Sequence, residues 1–135
     1  MALDDLKSDP MMAHLIDSLS QGKDIGHYGR LTFIMIARHF LAEDELVEQL
    51  TQDKDCSEEK ARGLVHQVMQ HGYNPPRRER ILEWNERQDF PICPDAADPD
   101  SCNVYKNLQF PQELYDHISE YHEEKAEAGE SAAQK

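Results

Sequence analysis

Apolar residues in this 135-residue chain recur at three- and four-residue spacing and no stretch alternates with period two, so the pattern predicts an all-α fold. Met12, Leu15, Ile16 and Leu19 define one helical face, and Gly22 is placed to end that helix. A second helix is expected from about His27 to Leu41. Its apolar run, Leu31 to Ala37, is too continuous for a surface helix and predicts the central buried element, with Phe33, Ile36 and Phe40 carrying much of the core. Leu46, Val47 and Leu50 share a face of a shorter helix over 44–52. Ser57 followed by Glu58 and Glu59 reads as an N-cap with acids where the helix dipole favours them. That helix is expected to bury Ala61, Leu64, Val65, Val68 and Met69 and to stop at Gly72.

Pro75-Pro76 forces an extended break before a short helix over 77–87 that holds Ile81, Leu82 and Trp84, with Trp84 expected in the core. Pro91, Pro94, Pro99 and Pro111 predict an irregular segment over 89–111, where ligand chemistry would be sited. Pro111 suits the first turn of a last helix bearing Leu114, Tyr115, Ile118 and Tyr121. Beyond about Lys125 nothing is left to bury. The expectation is one compact domain of about six helices over 9–124, an N-terminal arm over 1–8 and an acidic, disordered tail over 125–135.

Composition narrows the class. Hydrophobic content of 39% and charged content of 30% suit a soluble globular domain, and no apolar run nears the ~20 residues of a membrane span. Met1-Ala2-Leu3-Asp4-Asp5 lacks a secretory pattern, and three cysteines without framework spacing fit a reducing compartment, so a cytoplasmic location is expected. The net charge of −13 argues against broad nucleic-acid binding, which needs local Lys and Arg. The distribution changes that picture. From Lys60 to Arg87 six basic residues face three glutamates, and His27 to Leu41 adds Arg30 and Arg38 with no acid. A confined basic face on an acidic body is one reading; an ordinary solvated surface is the other.

His27 and Arg30 stand three apart at a helix start, so they share a face on which Arg and exposed amides could receive a phosphate. Equally, His27 could cap the helix and Arg30 pair with an acid such as Asp24. Arg77, Arg78 and Arg80 at another helix start are opposed by the helix dipole, which calls for a bound anion, an acidic partner or the chain's own carboxylates. Cys93 and Cys102 are too far apart in sequence to form a zinc knuckle by themselves, and acidic neighbours make Cys56 a spectator. No phosphate-cradling glycine loop, nucleophile triad or His-Glu-x-x-His pattern is present, so no catalytic centre is expected.

The order Asp9-Pro10-Met11, His27-Tyr28-Gly29-Arg30, His66, Gly72-Tyr73-Asn74-Pro75-Pro76, Cys93 and Cys102-Asn103-Val104-Tyr105 resembles the C-terminal iron–sulfur domain of the archaeal and eukaryotic primase large subunit. In that frame Met11 and Arg77 occupy two of the four cluster-cysteine positions, and Cys93 and Cys102 match the other two. Arg62 replaces a family tyrosine four residues before His66, itself either a template-side residue or an ordinary buried histidine. The resemblance covers roughly residues 9–110 and implies a non-catalytic module for a nucleotide or the 5′-phosphate end of a nucleic acid, read by His27, Arg30, His66, Arg77 and Arg78. With half the ligands replaced, no cofactor is expected. The metal alternatives are zinc on Cys93, Cys102 and two of His27, His39, His66 and His71, or an iron–sulfur cluster. The alternative function is a cytoplasmic protein-interaction or regulatory module that keeps the fold and meets a protein partner through its acidic surface.

Overall fold

The computed structural model describes residues 2–95, 97–98 and 102–116. They are helical, with no strand among the described residues: α1 (Ala2–Leu6), α2 (Pro10–Ser20), α3 (Gly26–Ala37), α4 (Glu43–Leu50), α5 (Glu58–His71), α6 (Arg78–Asn85), α7 (Val104–Asn107) and a last helical stretch over 112–116. The chain is all-α. Ile118, Tyr121 and the tail expected over 125–135 lie outside the described residues.

The helix boundaries follow local chemistry. Asp9 accepts from the Met12 amide at 2.9 Å, and Pro10 opens α2 where its missing N–H costs nothing. Gly22 leaves the helix with φ +76°, and the Gly22 and Lys23 amides close onto Leu19 and Ser18. Ser57 caps α5 through the Lys60 amide at 3.1 Å, and Gly72 ends it in the left-handed region at φ +64°. In α4 the Ala42 amide donates to Glu45 Oε1, leaving the reciprocal half of a capping box without an acceptor, since alanine has none.

Helix α3 packs against α2, α4, α5 and α6, as its continuous apolar run predicts. Phe33, Ile34, Ile36 and Ala37 have no exposed surface, whereas Phe40 follows the helix end and is only half-buried. Three further expectations change. Residues 2–6 form α1, and Leu6 enters the core, so the segment read as an arm contributes a helix. Met69 lies one position past the Ala61–Leu64–Val65–Val68 stripe and is exposed. The irregular span before the last helix contains α7, and Trp84 stacks on Tyr28 with ring centroids 5.4 Å apart, inside the fold as expected.

Candidate functional site

The start of α3 is bonded largely from within the chain, with the buried Arg30 Nε left without a hydrogen-bond partner. Arg30 is buried, and its Nη2 donates to Asp24 Oδ1 and Asp53 Oδ2, each at 2.8 Å. Burial pulls against the charged guanidinium, but the Asp53 hydrogen bond and the two carboxylate charges outweigh it and hold Arg30 above its ordinary value. Asp24 also accepts from the Gly26 amide at 2.8 Å, and Asp53 from the Asp55 amide at 2.9 Å.

Gln88 completes the closure. Its Oε1 accepts from the Tyr28 amide at 2.9 Å, while Nε2 donates to the Ile25 and Phe90 carbonyls at 2.8 and 3.0 Å. Gly26 is required here twice over. Its φ is +80°, and a Cβ would sit 2.5 Å from Gln88 Oε1. Two of the amides that would greet a phosphate at this helix start, those of Gly26 and Tyr28, are therefore taken by Asp24 and Gln88. His27 is exposed beside the site and touches only the edge of Tyr28 in ring contact, at 5.3 Å.

The expected convergence of His27 and Arg30 with Arg77 and Arg78 does not form, because Arg30 turns inward to two carboxylates. His66 is exposed on α5, neither buried nor in the cavity described next. Arg62, one turn earlier, is held by Glu58 at 3.0 Å and Asp44 at 3.3 Å.

Arg77 and Arg78 instead line a cavity of about 370 Å³ with Glu79, Asn103, Tyr105 and Tyr115. Three segments distant in sequence build it: the start of α6, the turn into α7 and the last helical stretch. Tyr105 donates from Oη to the Pro75 carbonyl at 2.5 Å, tying α7 to the Pro75-Pro76 break. Burial pushes the Tyr105 phenol up to about 12, so it stays a neutral donor despite the opposing pull of Arg77. Tyr115 Oη accepts from the Phe110 amide at 3.0 Å. Behind them Phe110 meets the rings of Phe40, His39, Tyr105 and Tyr115 at centroid distances of 5.6, 5.6, 5.6 and 6.3 Å. The lining thus combines two cations and a carboxylate with two tyrosine rings that contact Phe110. Volume and chemistry match a small ligand with an anionic end and a planar or hydroxylated body.

Cys93 and Cys102 are brought together nearby. Both are buried, and the Cys93 thiol donates to Cys102 Sγ at 2.8 Å. Met11 is fully buried in the apolar core, and Arg77 is at the cavity rim. Two sulfurs in mutual contact leave no space between them for an iron–sulfur cluster, which takes each thiolate on its own iron. Among the described residues no three His, Cys, Asp or Glu side chains gather into a set that could hold a metal. No helix among the described residues is long and apolar enough to cross a membrane.

Gln88, Asp53, Tyr115 and Phe110 are the residues that sequence reasoning missed. Their roles arise across long separations, and only the placement of Pro111 and Tyr115 after an irregular segment signalled that part of the site. Comparison with known proteins finds no family model that matches the chain, no similar curated protein and no similar solved structure.

Proposed function

We propose that this chain is a non-catalytic binding module whose cavity at Arg77, Arg78 and Tyr105 takes the phosphate-bearing end of a nucleotide or nucleic-acid strand. The observation that carries the reading is the pairing of two arginines with two tyrosines around a space of about 370 Å³. Arginine forks engage phosphate oxygens, and tyrosine faces offer stacking to any base. Glu79 at the rim can accept from a ribose hydroxyl or a base amine. The net charge of −13 favours a compact anionic terminus over a long duplex, whose distal phosphates would meet an acidic body. Asn107 Nδ2 donates to Asp9 Oδ1 at 2.8 Å, which ties the end of α7 to the start of α2.

Fluorescence anisotropy with matched 5′-triphosphorylated and 5′-hydroxyl strands tests the proposal. The triphosphorylated strand binds more tightly, and its affinity falls steeply with salt. Replacing both Arg77 and Arg78 by Ala weakens it by about 10- to 100-fold, whereas Arg87→Ala changes little. Equal affinity for both strands, or none at low salt, removes the phosphate reading.

One observation favours a second reading, a protein-interaction module. Met69 and Tyr73 are 36% and 38% exposed at the end of α5, with Tyr73 stacked on His71 at 5.2 Å. An apolar and aromatic patch of this kind suits a partner surface. Under this reading Tyr73→Ala abolishes partner capture while leaving the cavity untouched.

A further inference from the structure

We propose that Cys93 and Cys102 are a redox-active dithiol that closes to an intramolecular disulfide, fixing the start of the α7 turn to the segment anchored by Asn85. The geometry carries this independently of any ligand reading. The two Sγ atoms are 2.8 Å apart, a separation from which bonding needs only a small approach to the ~2.05 Å of a disulfide. The partners stand nine positions apart in sequence and are both buried, so each has the other as its sulfur neighbour.

The backbone around Cys93 is held in place. Asn85 Oδ1 accepts from the Ile92 amide at 2.6 Å and from the Cys93 amide at 3.3 Å. On the other side Cys102 directly precedes Asn103, a wall residue of the cavity. Oxidation would therefore join the end of α6, through Asn85, to the wall formed by Asn103 and Tyr105.

The oxidant is a low-molecular-weight disulfide such as oxidised glutathione. The Cys93 thiolate attacks one of its sulfurs, forming a mixed disulfide and expelling one glutathione thiolate. The Cys102 thiolate then attacks Cys93 Sγ, breaking the mixed bond and expelling the second. The protein loses two electrons and two protons; one disulfide becomes two thiols. Cys93 is the entering residue because it keeps slight exposure where Cys102 has none. Burial, with the Cys93 sulfur beside it, also pushes the Cys102 thiol up, which suits the resolving role inside the fold rather than first attack. Cys56 is buried elsewhere, and burial pushes its thiol up as well, so it serves as the internal reference.

The experiment equilibrates the full chain with oxidised and reduced glutathione, quenches with acid, and counts thiols by alkylation and mass spectrometry. Three free thiols fall to one, that of Cys56, and peptide mapping links Cys93 to Cys102. Cys56→Ser still forms the link. Cys102→Ser stops at the mixed disulfide on Cys93, and Cys93→Ser leaves Cys102 unmodified. The oxidised protein melts about 5 °C higher than the reduced one, since the bond constrains the unfolded chain without distorting the folded one. Three thiols persisting in a strongly oxidising mixture, a stable glutathione adduct in the unsubstituted chain, a link between two copies, or a lower melting point on oxidation would each overturn the proposal.

Discussion

Arg30 at the start of α3 and Arg77 at the start of α6 place the same guanidinium in opposite surroundings. Arg30 is enclosed by Asp24 and Asp53, and the amides beside it are capped by Asp24 and Gln88. Arg77 lines a cavity together with Arg78, Glu79, Asn103, Tyr105 and Tyr115. The first arginine ties the start of α3 to two carboxylates of the same chain; the second lines a cavity. A basic residue at a helix start is thus not a phosphate site by position.

The comparison can be broken most forcefully by the same substitution at both ends. Arg30→Ala leaves Asp53, 1% exposed, as an uncompensated buried charge and should cost about 3–5 kcal/mol in denaturant unfolding. Arg77→Ala, at an exposed side chain, should cost clearly less. Similar costs at both sites would erase the distinction.

Gln88→Ala tests the closure of α3 more gently. It strips one acceptor and one donor from three backbone groups and should cost about 1–3 kcal/mol by thermal or chemical melting. A neutral result would mean that water replaces Gln88 and that the helix start is accessible after all.

The aromatic cluster around Phe110 carries a pH dependence. Burial, with Arg38 beside it, lowers His39 from 6.5 to about 4, and its Nε2 has no hydrogen-bond partner. The folded chain therefore prefers the neutral ring. The stability contribution is complete above pH 6.5 and is lost as pH falls from 6.5 towards 4, by about 1–2 kcal/mol after allowance for partial exposure. His39→Phe keeps a ring against Phe110 and should flatten that part of the stability–pH curve. An unchanged slope between pH 7 and 4.5 would place the titrating group elsewhere.

Local signals in the sequence were sufficient for the helical body. Asp9-Pro10 and Ser57-Glu58-Glu59 start helices, Gly22 and Gly72 stop them, and the uninterrupted run of α3 marks the centre, because each depends on neighbours within a turn. Helix α1 was not read from the sequence, where residues 1–8 were expected as an arm, because two apolar residues over a single turn make too short a pattern. The site was legible only in parts. Asp24 was a visible partner for Arg30 six residues away, whereas Asp53 and Gln88 reach α3 from 23 and at least 60 positions along the chain. No periodicity encodes such contacts. The same holds for the cavity, where Arg77 and Arg78 meet Tyr105 and Tyr115 only after Pro75 receives the Tyr105 hydroxyl.

The most direct measurement of the central claim is a map of backbone amide chemical shifts during titration with a nucleoside triphosphate. The proposal expects perturbations to cluster at residues 77–79, 103–105 and 115, with the amides of Gly26, Tyr28 and Arg30 unmoved. Perturbations centred on residues 26–30, with the cavity residues silent, would contradict it.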